Sequence, residues 1–235
     1  MESVKNWSEK NHYDYIFLGD EFFKLMTTEL LEKTNRQKVI ATDLARLKWM
    51  QKFLAEGYES VVWCDADFLV FCPDQFILPG TENLPEGYAL GREVWVQKNQ
   101  QQTGKLKAYK KVHNAFLLFR QGNHFLDFYC AHAERLLQNT TGPMPPQFIG
   151  PKLLTALHNT IQCPVVEFAG MLSPVVIQAI NQGGGPAVDA MTARSSSPLY
   201  GANLCTSMAE RGELNNNDME QAIGRLLDNG IPGFK

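Results

Sequence analysis

The feature that most limits what this chain can fold into is the stretch Val61-Val62-Trp63-Cys64-Asp65-Ala66-Asp67-Phe68-Leu69-Val70-Phe71. Apolar residues of strand character run into two carboxylates one residue apart and then resume. In an extended chain, residues i and i+2 point to the same side. If the extended geometry persists there, Asp65 and Asp67 face one point. Two carboxylates that close repel each other and lose hydration unless a cation sits between them. The expectation is a hard-metal site at the carboxyl end of a buried strand, the end at which open α/β sheets bind ligands. The alternative is a solvated turn, which the large apolar residues on both sides disfavour.

The surrounding pattern alternates helix and strand. A short helix is expected over residues 3–11, a strand over 13–20 and a helix over 21–33. The next helix is expected to begin at Thr42 as N-cap and stop near Gly57. Leu44, Leu47, Met50, Phe53 and Leu54 give it an apolar stripe at helical spacing. Asp43 and Arg46, at i and i+3, share a face of its first turn. They are either a surface ion pair or two groups pointing into a cleft beside the Asp65–Asp67 site. Residues 58–70 read as one central strand, 88–96 and 112–120 as strands, and 98–111 as a basic loop or short helix over the surface. A helix over 125–137, a second opened by Pro151, a short strand over 164–168, a long loop over 182–200 and a final helix over 218–227 complete the chain. The sum is an α/β fold in a single domain, with five to seven strands in a mostly parallel sheet flanked by helices.

Composition enters by exclusion. The 235 residues fit one such domain, 44% hydrophobic and 20% charged. A net charge of −3 gives no reason to expect nucleic acid or an anionic membrane as partner. No run approaches the roughly 18 apolar residues of a membrane span, and the first residues lack a signal-peptide pattern. Cys64, Cys72, Cys130, Cys163 and Cys205 are scattered and odd in number, which argues for reduced thiols and a cytoplasmic setting. The five histidines show no ligand spacing. Trp7, Trp49, Trp63 and Trp95 read as core or cleft walls, and the lysines from 105 to 111 as a solvated face.

At this point the chain resembles the DXD-type nucleotide-sugar glycosyltransferases of GT-A fold, in particular the capsular-polysaccharide, α-mannosyl and α-galactosyl transferase group. The resemblance rests on Ala41-Thr42-Asp43-Leu44-Ala45-Arg46, Trp63-Cys64-Asp65-Ala66-Asp67 and Phe148-Ile149-Gly150-Pro151-Lys152-Leu153-Leu154-Thr155, which occur in the family's order. It implies a GT-A-like sheet spanning residues 1–235 and a hexose transferred from a UDP- or GDP-sugar to a glycan or other hydroxyl acceptor, with retention. It implies that Asp67 binds Mn²⁺ or Mg²⁺ and that Asp65 contacts the metal, the ribose or both. Asp43 and Arg46 would hold the donor sugar, and Asn114 would face it from a strand at the cleft edge. Asn203 and Ser207 sit where the family has a late metal ligand and a group near the phosphates. Two features depart from the family's pattern: no base-cradling strand precedes Val4, and the segment Asn203 to Met208 lacks the usual His and Trp.

The chemistry stands apart from the resemblance. Charge builds on a departing diphosphate, and a divalent cation neutralises it as a Lewis acid. Such a cation needs only one or two carboxylates from the protein. Two other readings compete: a phosphatase of haloacid-dehalogenase type with Asp65 as nucleophile, and a degenerate sugar-nucleotide-binding module without catalysis.

Overall fold

The run of apolar residues around the two carboxylates does not form one strand. In the computed structural model, which describes residues 1–206 and 214–234, it splits into β1 (Ser60–Cys64) and β2 (Phe68–Val70). Asp65, Ala66 and Asp67 form the turn between them, closed by the Phe68 N–H donating to the Asp65 carbonyl at 2.9 Å. The two strands join different sheets. The first has the order β1-β4-β3-β5, where β3 is Tyr88–Lys98, β4 Leu106–Arg120 and β5 Val165–Val166. The second has the order β2-β7-β6, where β6 is Ala169–Met171 and β7 Gly201–Asn203.

The expectation of a mostly parallel sheet is corrected. β1 with β4, β3 with β4 and β2 with β7 are antiparallel, and only β3 with β5 and β6 with β7 are parallel. The reason lies in residues 98–111. Rather than a surface loop, they are the arms of a long hairpin, and a connection as short as 99–105 can join only antiparallel strands. The resulting architecture is mixed α/β, and no helix among the described residues is long and apolar enough to cross a membrane.

Helices pack around these sheets: α1 (Glu2–Lys10), α2 (Thr28–Thr34), α3 (Lys38–Ala55), α4 (His124–Asn139), α5 (Pro151–Ile161), α6 (Pro174–Asn181), α7 (Pro186–Thr192) and α8 (Asn216–Asn229). Thr42 does not cap α3. The helix starts a turn earlier, and the Thr42 hydroxyl donates back to the Lys38 carbonyl inside it. The stripe of Leu44, Leu47 and Met50 is fully buried against β4 and α4, as its spacing requires. Residues 13–18 form no strand. No backbone N–H from Asp14 to Leu18 donates to another backbone group, and Ile16 and Phe17 are exposed. The expected loop at 182–200 contains α7, whose Val188 and Met191 join the core.

His113 ties the two sheets together. It lies on β4, fully buried, with Nε2 donating to the Ala169 carbonyl of β6 and Nδ1 accepting from the Ala115 N–H, both at 3.1 Å. Its register partner is Gly91, where a Cβ would meet the imidazole at 2.3 Å. The missing side chain at Gly91 therefore makes room for the ring. Burial pulls the His113 pKa down to about 4. The unfolded chain takes up this proton below about 6.5 and the folded chain only near 4, so acid favours the unfolded state. We predict that the His113 contribution, of order 3 kcal/mol, is present above pH 6.5 and is lost as the pH falls toward 4. Urea midpoints at pH 7.5 and 4.5 should differ less in His113→Gln than in the native protein.

Candidate functional site

The turn between β1 and β2 places Asp65 and Asp67 at the seam between the sheets. Each carboxylate is held by its own set of donors. Asp65 Oδ1 accepts from Trp63 Nε1 at 2.7 Å and forms an ion pair with Arg46 Nη1 at 3.0 Å. Asp67 Oδ1 accepts from Asn203 Nδ2 at 2.6 Å, while its Oδ2 accepts from the Thr206 N–H at 2.8 Å and the Thr206 hydroxyl at 3.0 Å. Asp65 Oδ2 has no hydrogen-bond partner among the described residues, and its side chain is 26% exposed. Although the extended geometry fails, both acids line one cavity of about 1330 Å³.

Arg46 is the centre of the arrangement. Its side chain is only 4% exposed. Nη2 lies 3.3 Å from Asp43 Oδ1, Nη1 also donates to the Asn114 carbonyl, and the guanidinium carbon sits 5.4 Å from the centroid of Trp63. Asn114 completes the circuit through Nδ2, which donates to Asp43 Oδ1 at 2.7 Å. The reading of Asp43 and Arg46 as a solvated surface pair is thereby excluded. Both belong to the floor of the cavity, and little of either is left open to solvent.

The electrostatics follow from this burial. Desolvation raises the Asp43 pKa to about 6, against the lowering pull of Arg46 and Asn114. Asp65 is likewise raised, first by burial and then by Asp67, with Arg46 and Trp63 opposing. Burial alone would weaken the charge on Arg46, but Asp65 and Asp43 outweigh it and leave its pKa above the ordinary value. Asp43 Oδ2 is buried without a hydrogen bond and lies against Gly150, where a Cβ would meet it at 2.4 Å and Asn114 Nδ2 at 2.8 Å.

The structure thus brings together Asp43, Arg46, Asp65, Asp67, Asn114 and Asn203 of the residues singled out in the sequence. Ser207 lies outside the described residues. Asn203 faces Asp67 with its amide nitrogen, because its oxygen already accepts the Cys205 N–H at 2.8 Å. Trp63, Thr206 and Gly150 were not read as functional. Trp63 sits two residues before Asp65, and that spacing is the only signal that could have marked it. Thr206 meets Asp67 across 139 positions of chain, which no local pattern encodes. Among the described residues, no three His, Cys, Asp or Glu side chains cluster to hold a metal. The chain matches no protein-family model and no curated protein.

Two outcomes are expected from this geometry. Arg46→Met removes the cation shared by buried Asp43 and partly exposed Asp65 and should cost about 3 kcal/mol in chemical denaturation. Adding Asp43→Asn to that variant should restore part of the loss. Gly150→Ala should push Asp43 and Asn114 apart, lowering the thermal midpoint by several degrees, about 1–3 kcal/mol.

Proposed function

We propose that this chain is a metal-dependent glycosyltransferase that moves a hexose from a UDP- or GDP-sugar to a hydroxyl of a glycan or other acceptor, with retention. The observation that carries the reading is that Asp65 and Asp67 share the wall of one large cavity, each fixed by separate donors, with the buried Arg46 beside Asp65. Two carboxylates constrained in this way suit Mn²⁺ or Mg²⁺, because such ions take oxygen ligands and draw part of their shell from phosphate and water. When bound, the ion would neutralise the charge that builds on a leaving diphosphate.

The residues present fit that ion. Asp65 keeps Oδ2 free, and the Asp67 oxygens keep accepting capacity beyond the bonds from Asn203 and Thr206. Asn203 supports Asp67 rather than offering its own oxygen. Arg46 holds Asp65 in place and favours its charged form against burial. Asp43 and Asn114 hold Arg46 in turn, so these three are positioning residues for the carboxylate pair. The large cavity supplies the space that a nucleotide sugar requires.

A second reading, binding of a sugar nucleotide without turnover, draws on the fact that both Asp67 oxygens already accept hydrogen bonds within the protein. Asp67→Ala separates the possibilities. On the transferase reading it should abolish metal-dependent hydrolysis or transfer of UDP- or GDP-sugars while circular dichroism shows the fold retained. Full activity in that variant would remove the assignment. On the binding reading the native protein is stabilised by a nucleotide sugar with Mn²⁺ in a thermal scan yet releases no nucleoside diphosphate.

A further inference from the structure

The β3–β4 hairpin builds a second wall of the same cavity. Its ladder pairs Glu93 with Lys111, Trp95 with Tyr109 and Gln97 with Lys107. Alternate residues of a strand point to opposite faces. Val94 and Val96 are buried in the core, and Leu106 and Ala108 pack against it, so these three pairs share the other face. Lys107 and Lys111 Nζ, 4.8 and 5.4 Å from the Tyr109 ring centroid, agree with that placement. Glu93, Trp95 and Gln97 line the cavity together with Asp65 and Asp67. The donor chemistry proposed above uses none of them.

Glu93 is the informative member. It is 8% exposed, its side chain makes no hydrogen bond among the described residues, and Lys111 is the cation that faces it. A carboxylate in this setting suits a ligand that brings hydrogen-bond donors. A nucleotide's phosphates would be repelled by Glu93, and only its ribose and base could supply those donors. A hydrocarbon chain would leave Glu93 and Gln97 unmatched. A pyranose meets every group: its C–H face lies on the Trp95 ring, its hydroxyls donate to Glu93, and Gln97 both donates and accepts. At about 3.3 Å per residue, the wall from Glu93 to Gln97 runs roughly 13 Å, longer than one sugar ring.

We propose that Glu93, Trp95 and Gln97 form the acceptor subsite, which takes the end of a neutral hexose-containing oligosaccharide. The term acceptor rests on the transferase reading, whereas the sugar chemistry of the wall does not.

Saturation-transfer NMR on the full chain, with maltotriose, cellotriose and mannotriose and without nucleotide or metal, reads this wall alone. At least one trisaccharide should receive saturation. Trp95→Ala should weaken its binding roughly tenfold or more, and Trp95→Phe, which keeps an aromatic face, should retain most of it. Glu93→Gln should weaken binding less than Trp95→Ala. If no trisaccharide receives saturation from the native protein, or if Trp95→Ala binds as tightly as Trp95→Phe, the subsite is refuted. A parallel titration of the native protein with UDP- and GDP-glucose plus Mn²⁺ tests the transferase reading by itself. Sugar binding that depends on Trp95, without nucleotide-sugar binding, upholds the glycan subsite and overturns only its role as acceptor.

Discussion

A guanidinium placed in a protein interior dictates what surrounds it. Arg46 gives up most of its hydration, which costs several kcal/mol unless its N–H groups are met by anions and carbonyls in good geometry. Here those partners come from three separate pieces of chain. Asp43 shares its helix, Asp65 comes from the turn after β1, and the Asn114 carbonyl comes from β4. Moving any one piece would leave the buried guanidinium short of a partner. The mutual placement of α3, the Asp65–Asp67 turn and β4 is therefore set by one side chain.

That constraint explains why two acids can sit together at the head of a cavity. Asp65 is held by Arg46 and Trp63 on one side of the turn, and Asp67 by Asn203 and Thr206 on the other. Trp63 lies on β1 and Arg46 on α3, whereas Asn203 ends β7 of the other sheet and Thr206 follows it. His113 fastens the two sheets to each other a short way behind. The acids thus stand at a seam whose two sides cannot slide independently. Such rigidity is what the proposed cation site would require, since its ligands must stay in place when the ion is absent.

Much of the site could be read locally, and some of it could not. Asp65-x-Asp67 stood out because large apolar residues flank it, and Asp43 with Arg46 stood out because a three-residue helical offset puts them on one face. The inference that linked Asp65 to Asp67, a continuous extended strand, was mistaken. A turn closed by the Phe68 N–H intervenes, and what the two side chains share is the wall of one cavity. The hairpin at 98–111 was hidden by its lysines, which alternate with residues facing the core only once the register with β3 is known. Residues 13–18 have every local mark of a strand, yet a strand is defined by a partner, and none pairs with them among the described residues.

By itself the sequence determined the local terms. These are the helical stripe of α3 and the presence of two acids between two apolar runs. Only the tertiary structure decided the pairwise ones. It determined that the sheets are mixed, that Arg46 is buried between Asp43 and Asp65, that Thr206 reaches Asp67, and that Glu93, Trp95 and Gln97 face the same hollow as the acids. The division has a physical cause. Propensity, capping and periodicity act over a few residues, whereas ion pairing, ladder register and desolvation depend on which distant segments share the same space.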